Sequence, residues 1–107
     1  MYIKVNNNKL NIVQLISFWE RLRSLKFVFE PINYGVKLSN KKYADTYLFC
    51  QKVDIVMTDK DNNILYMYEN VKTEKRILFK RKVFNIYYLP LGSVSSLNIG
   101  DKLKEYK

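Results

Sequence analysis

The chain has no histidine and a single cysteine, Cys50, and these two shortages remove several classes of function. A structural zinc site normally needs about four cysteine or histidine ligands, so a zinc finger is excluded. A Ser-His-Asp triad or a Cys-His pair needs an imidazole base, so neither can operate within this chain. One cysteine also precludes an intrachain disulfide. We therefore expect no catalytic residues, no metal site and no cofactor, and we predict that the protein is not an enzyme.

Glycine, proline and long apolar runs are also scarce. Three glycines and two prolines are too few for a low-complexity or collagen-like chain, and 15% aromatic residues argue against disorder. No apolar run approaches the roughly 20 residues that span a membrane. The polar start MYIKVNNNKL does not resemble a signal peptide. From its 107 residues we expect one domain, covering residues 1–107, and we expect it in the cytoplasm.

Acidic residues are few: ten Asp and Glu stand against 19 Lys and Arg, which gives a net charge of +9. Such a surplus attracts nucleic acid or another acidic partner. Fifteen of the cations are lysines and four are arginines, and the chain is rich in Asn, Ile and Tyr, as AT-rich coding sequence tends to be. The surplus therefore has a second explanation in base composition, and the sequence leaves both open.

Apolar residues near the N-terminus recur at spacings of three and four, which is typical of one face of a helix. They are Ile12, Leu15, Ile16, Trp19, Leu22 and Leu25. Asn11 stands immediately before them and is a suitable N-cap. The pattern predicts one N-terminal helix over about residues 11–25.

The rest of the chain is rich in short β-prone runs, beginning with the alternating residues 2–5. Runs at 53–57 and 64–71 flank a polar turn at 59–63, so we expect them to pair antiparallel. Residues 83–89 carry apolar side chains on both sides of the alternation, which predicts a strand buried on both faces. Together these features predict an α+β, mainly β domain. Its core would be a small curved antiparallel or mixed sheet, or a partial barrel, with the helix packed on it.

Three segments of the chain, in order, resemble those of a known family. They are FWERLRSL at residues 18–25, TYLFCQKVDIVM and the turn TDKDNNIL at residues 46–65, and YLPLGS followed by LNIGDKL at residues 88–103. This pattern resembles that of the domain-of-unknown-function 192 family, small uncharacterised proteins of bacteria and archaea. The resemblance extends over nearly the whole chain and implies a bacterial protein with a compact mixed β fold, but no established reaction.

Four positions depart from the family pattern. Ser24 stands where the family has glycine, Asp45 where one branch has histidine, Phe49 where it has methionine, and Lys52 where it has proline. A family site built around the His-aromatic-Met cluster would be altered in this chain. The resemblance therefore implies a divergent member.

Asp54 is a carboxylate within an apolar β-prone run, where burial without a partner is costly. One interpretation makes it a ligand-binding residue of an aromatic-lined cleft near Tyr47 and Phe49. Asp45 and Arg21 complete that candidate cleft. The other interpretation makes Asp54 structural, either turned to solvent or paired with Arg21, because the family pattern has an acidic residue and an arginine at these positions.

The densest positive charge lies in residues 72–82, where six cations are opposed by Glu74 alone. The cations are Lys72, Lys75, Arg76, Lys80, Arg81 and Lys82. Aromatic residues lie beside them at 79–88, and cations interleaved with rings can hold phosphates while bases stack. The alternative is a solvated loop and strand edge whose rings face the core.

Two functions are compatible with these features. The first is a non-enzymatic binding or accessory domain, which would act through protein contacts or the aromatic-lined cleft. The alternative is a module that binds single-stranded nucleic acid or RNA through residues 72–82, and a steep loss of affinity with salt would distinguish it. The partner is then an unidentified protein, an acidic ligand or a nucleic acid. The oligomeric state stays open, because terminal edge strands serve a monomer and a two-fold dimer equally well.

Overall fold

The computed structural model of the chain describes residues 1–15, 32–47, 49–78 and 80–107. Within these residues the regular structure is almost entirely extended. The strands are β1 (Tyr2–Val5), β2 (Asn8–Leu15), β3 (Gly35–Ser39), β4 (Ala44–Asp45), β5 (Val53–Thr58), β6 (Ile64–Val71), β7 (Arg76–Ile77) and β8 (Asn85–Leu89), and a 3₁₀ turn covers Ser93–Ser96.

Six of the strands form one mixed sheet in the order β1-β2-β3-β8-β5-β6, and β4 and β7 form a separate two-stranded ladder. Strands β2 and β3 run parallel, whereas the other neighbours in the sheet run antiparallel. The predicted pairing across the turn at residues 59–63 is confirmed, because β5 and β6 are antiparallel partners. The mainly β part of the predicted fold is therefore correct.

The C-terminal segment, residues 101–106, connects the two edges of the sheet. Tyr106 exchanges two backbone hydrogen bonds of 2.8 Å with Tyr2 at the β1 edge. Near the start of β6, the backbone N–H of Leu103 donates to the carbonyl of Asn62 at 2.8 Å. One short segment reaches both edges because the sheet curls into a half-barrel.

The predicted helix over residues 11–25 is wrong. Its first five residues belong to β2, which pairs with β1 on one side and β3 on the other. Leu10 and Ile12 are buried while the intervening Asn11 is exposed, which is the alternation of a strand. The rest of the predicted helix lies outside the described residues, and the described residues contain no α-helix. Hydrogen bonds to two partner strands override the local helical spacing.

Alternating side chains give the sheet a hydrophobic core on each face. On β8, Ile86 and Tyr88 pack into one core, and Tyr87 and Leu89 pack into the other. All five residues of β8 are buried, so the predicted burial of this strand on both faces is confirmed. The core around Ile86 and Tyr88 also includes residues from β4 and its flanking loops. The other core includes β1, β2, the 3₁₀ turn and the C-terminal segment.

Candidate nucleic-acid interface

Three separate segments meet at one end of the sheet and line a cavity of about 390 Å³. They are the loop before β4, the turn between β5 and β6, and the turn before β8. The lining residues are Lys42, Asp59, Lys60, Asp61, Leu65, Arg81, Lys82 and Phe84. We call this the cationic cavity, because its lining carries four cations and two carboxylates.

Hydrogen bonds to the backbone fix the three segments against each other. The Phe84 N–H donates to the carbonyl of Thr58 at 2.8 Å, and the Phe84 carbonyl accepts from the N–H of Lys41 at 3.2 Å. In addition, Lys42 Nζ donates to the carbonyl of Val83 at 2.8 Å. The residues before β8 are therefore held between the loop before β4 and the end of β5.

A tight turn presents two of the cations. The Val83 N–H donates to the carbonyl of Lys80 at 3.1 Å, which places Arg81 and Lys82 at the corner of the turn. The Lys80 N–H donates to the carbonyl of Lys42 at 2.8 Å and anchors the start of the turn. Both corner side chains are exposed at the rim of the cationic cavity.

The hairpin turn contributes Lys60 on a rigid frame. The Asp59 carboxylate accepts hydrogen bonds from the N–H groups of Asp61 and Asn63, both at 2.9 Å, and from Asn63 Nδ2 at 3.1 Å. The bonds from Asn63 are the main reason that the pKa of Asp59 lies below its usual value. The carboxylate thus orders the turn, and Lys60 is exposed beside it.

A β-bulge in β6 contributes Leu65 to the lining of the cationic cavity. Tyr66 pairs with Met57 and Ile64 pairs with Thr58, so Leu65 is an additional residue in β6. A bulge of this kind re-aims side chains in a strand. Leu65 lines the cationic cavity and packs against the core that contains Met57. Tyr66 lies on the same face of the sheet, because it pairs directly with Met57.

Two rings at this surface each have a lysine ammonium over them. Lys60 Nζ lies 5.6 Å from the ring centre of Phe84, and Lys80 Nζ lies 5.3 Å from that of Tyr66. These distances are within the range of cation–π attraction. Phe84 is half-buried and Tyr66 is exposed, so the pairs stand at the surface rather than in the core.

In the structure, the cations of residues 72–82 form two groups, and only one of them contributes to the cationic cavity. Arg81 and Lys82 line the cationic cavity and Lys80 covers Tyr66. The cavity also uses Lys42 and Lys60, which lie outside residues 72–82. The available signals were the Lys41-Lys42 pair in a polar loop and a lysine inside a hairpin turn, and neither indicates spatial proximity to the stretch.

The other end of the stretch wraps around a buried threonine. Thr46 Oγ1 donates to the carbonyl of Lys72 at 2.7 Å and accepts from the N–H of Lys75 at 2.9 Å. Lys72 and Lys75 are exposed, and Arg76 pairs with Asp45 in the β4–β7 ladder. These three cations do not line the cationic cavity.

A second open cavity, of about 400 Å³, gathers part of the predicted aromatic-lined cleft. It is lined by Tyr43, Asp45, Tyr47, Arg76 and Leu78, and we call it the tyrosine groove. Of the predicted cleft residues, Asp45 and Tyr47 lie here. Phe49 is instead buried, with its ring edge-to-face against Tyr88 at 5.3 Å between centres.

Asp54 lies elsewhere and is buried against backbone donors. Its side chain is 1% exposed, and its two carboxylate oxygens accept from the N–H of Asn70 at 2.9 Å and of Val94 at 3.2 Å. It therefore ties the end of β6 and the 3₁₀ turn to β5, at the edge of a third cavity. Arg21, its partner in the structural interpretation, lies outside the described residues.

Two features are absent from the described part of the chain. No group of three or more His, Cys, Asp or Glu side chains in it is arranged to hold a metal ion. None of its helical structure has the length and apolar character needed to cross a membrane.

Comparison with known proteins identifies the fold. No family model matches the chain, and no curated protein matches it in sequence. A candidate transcription regulator from Sinorhizobium meliloti superposes with a TM-score of 0.78 at 16% identity, covering 96% of this chain and 89% of its own. A protein of unknown function from Novosphingobium aromaticivorans superposes with a TM-score of 0.75 at 12% identity, covering 97% of this chain and 82% of its own. The chain shares its fold with these two bacterial proteins.

Proposed function

We propose that the protein is a binding module rather than an enzyme, that its ligand is nucleic acid, and that the cationic cavity is its binding surface. One observation carries the proposal: Lys42, Lys60, Arg81 and Lys82 converge from three segments that are distant in sequence. A lysine surplus that reflected base composition alone would give no reason for this convergence. The preference for binding over catalysis rests on the absence of histidine and the single cysteine.

The chemistry of the cavity suits phosphate groups. A lysine ammonium has three donors, so Lys42 keeps two after its bond to the Val83 carbonyl. The guanidinium of Arg81 adds a planar fork that matches phosphate geometry. Phosphate contacts dominate the affinity of most nucleic-acid-binding proteins.

The similarity to a candidate transcription regulator is compatible with a nucleic-acid ligand. At 16% identity this similarity extends only to the fold, so the proposal depends on the residues of this chain. A cytoplasmic location, as expected from the sequence, would expose the protein to RNA and to single-stranded DNA.

Anisotropy of a labelled 12-nucleotide DNA or RNA at several salt concentrations tests the proposal. In the test variant Lys60, Arg81 and Lys82 become Gln; in the control Lys4, Lys9 and Lys107, which are exposed on other parts of the surface, become Gln. Both variants lose three positive charges. We expect the test variant to bind about tenfold or more weakly with a salt slope shallower by about 2, and the control to bind like wild type.

Equal weakening of the two variants would contradict the proposal, because it would assign the affinity to net charge alone. No salt-dependent binding by the wild-type protein would contradict it as well.

A second candidate function is docking of a protein partner in the tyrosine groove. It is favoured by exposed apolar surface there: Tyr43 is 50% exposed and Leu78 is 67% exposed. An apolar contact would persist at high salt, where phosphate contacts fail. Replacement of both residues by Ser would abolish such docking and leave salt-dependent nucleic-acid binding intact.

We also propose that the chain is a divergent member of the domain-of-unknown-function 192 family. Two of the segments that carry the resemblance are in contact. Asp54, in residues 46–65, accepts a hydrogen bond from the N–H of Val94, in residues 88–103. A solved structure of a family member would test this. We expect the same strand order and a carboxylate at the position of Asp54 against a 3₁₀ turn; a different strand order would contradict membership.

A further inference from the structure

The cationic cavity and the Lys80–Tyr66 pair together form what we call the basic surface. It carries two aromatic rings that phosphate binding alone does not require. Phe84 lines the cationic cavity, and the bulge at Leu65 sets Tyr66 on the same side of the sheet. Phe84 immediately precedes β8 and Tyr66 lies in β6, and β5 lies between these two strands, so the two backbones are about two strand spacings apart across the sheet, roughly 10 Å. Buried rings such as Tyr87 and Tyr88 already supply the aromatic packing of the core.

Each ring is combined with a cation in the same way. Lys60 Nζ stands over Phe84 and Lys80 Nζ stands over Tyr66. A base that stacks on a ring carries its phosphate a short distance away, within reach of a flexible lysine. A ring with an adjacent lysine is therefore a unit that can hold one nucleotide by its base and its phosphate together.

Another aromatic pair at the surface also has lysines over its rings, with Lys9 Nζ 4.2 Å from the ring centre of Tyr2 and Lys4 Nζ 5.3 Å from that of Tyr106. What distinguishes this pair is the contact between its two rings. Tyr2 and Tyr106 stack on each other, with ring centres 5.2 Å apart and planes 19° from parallel. Each of these rings therefore has one face covered by the other. This pair also lies at the β1 edge of the sheet, away from the cationic cavity, so it provides a control.

Stacking on a protein ring requires a base whose face is accessible. In a duplex both faces of each internal base are occupied by neighbouring bases, and a protein then has phosphates and groove edges to contact. In a single strand the bases can turn out and stack on aromatic side chains.

We infer that the basic surface takes unpaired nucleotides, with one base stacked on Phe84 and another on Tyr66 while Lys60 and Lys80 contact the phosphates. This inference rests on the proposed function and narrows its ligand to single-stranded DNA or RNA. The preference for unpaired over paired nucleotides comes from the rings, whereas the affinity common to both comes from the cations.

The test compares a 12-nucleotide oligothymidine with a 12-base-pair duplex, using wild type and the variants Phe84→Leu, Tyr66→Leu and their combination. We expect wild type to prefer the single strand. Each single variant should lose about 5- to 100-fold in affinity for the single strand, with duplex affinity and salt slope unchanged. Unchanged duplex affinity also shows that the variant is folded.

Two further variants sharpen the test. Phe84→Trp keeps a stacking surface and should bind the single strand at least as tightly as wild type, and Tyr2→Leu should leave both affinities unchanged. Equal binding of single strand and duplex by wild type would overturn the inference. The inference would also be overturned if the double variant bound the single strand as tightly as wild type does. Salt-dependent binding would in that case still support the proposed function. If wild type binds neither ligand, the proposed function fails and the inference fails with it.

Discussion

At the scale of single residues, Asp54 shows how a buried carboxylate is made stable. It has no cation among its hydrogen-bond donors in the described residues; two backbone N–H groups from different elements satisfy it. Such bonds satisfy the carboxylate oxygens and order the two backbone donors at the same time. The sequence indicated that Asp54 needed a partner but could not identify it, because one donor is 16 residues away and the other 40.

Replacement of Asp54 by Asn should lower the free energy of unfolding by about 1 to 3 kcal/mol, because an amide can accept one of the two bonds and leaves a buried N–H unpaired. Urea denaturation followed by circular dichroism measures this loss. Asp101→Asn is the matched control at an exposed position and should change stability by no more than about 0.5 kcal/mol. Nucleic-acid affinity of the folded Asp54→Asn variant should equal that of wild type. Full stability, or a specific loss of binding, would contradict the structural role.

At the scale of elements, the C-terminal segment is held by a network around Glu105. Its carboxylate accepts hydrogen bonds from Lys37 Nζ at 2.5 Å and from the Tyr87 hydroxyl. Asn62 joins the network from the hairpin turn: its Oδ1 accepts from Asn85 Nδ2 on β8 at 3.1 Å, and its Nδ2 donates to the carbonyl of Leu103. The same turn that presents Lys60 is therefore fastened to the sheet and to the C-terminal segment.

This network makes stability depend on pH. Burial raises the pKa of Glu105, but the bonds from Lys37 and Tyr87 outweigh it, so the folded-state pKa lies below the ordinary value of 4.5. A carboxyl with a depressed pKa stabilises the fold above its unfolded pKa, and the contribution is lost as pH falls through the folded value. Water partly screens this carboxylate, so Glu105→Gln should be less stable than wild type by about 1 kcal/mol at pH 7, with a smaller difference at acidic pH.

Urea denaturation at pH 7 and below pH 4.5 measures this effect, with Glu69→Gln as the control at an exposed position. A difference between Glu105→Gln and wild type that is the same at both pH values would contradict the role of the ionised carboxylate.

The elements also show what the sequence could and could not predict. The β5–β6 hairpin was predictable because its two runs are adjacent and its turn residues are distinctive. The helix over residues 11–25 was mispredicted because the spacing of apolar residues within one segment carries no information about the strands that pair with it. β3, which pairs with β2, begins only at Gly35. Ile12 fits a strand alternation with Leu10 as well as a helical face with Leu15 and Ile16.

At the scale of the whole molecule, the net charge of +9 becomes informative only through its placement. Density along the sequence identified Arg81 and Lys82, which do line the cationic cavity. It also selected cations of the same stretch that lie elsewhere. Lys42 and Lys60 could not be found from the sequence, because only the pairing of strands brings them next to the turn before β8.

The most direct test of the account is to map the nucleic-acid surface on the protein itself. In ¹H–¹⁵N spectra of the labelled full chain, titration with a 12-nucleotide oligothymidine should shift backbone amides of residues 41–42, 59–61, 66 and 80–84, and the shifts should reverse when salt is added. Amides near Tyr2 and Lys9 should stay unchanged. Shifts spread evenly over the surface, or confined to the tyrosine groove, would contradict binding at the cationic cavity.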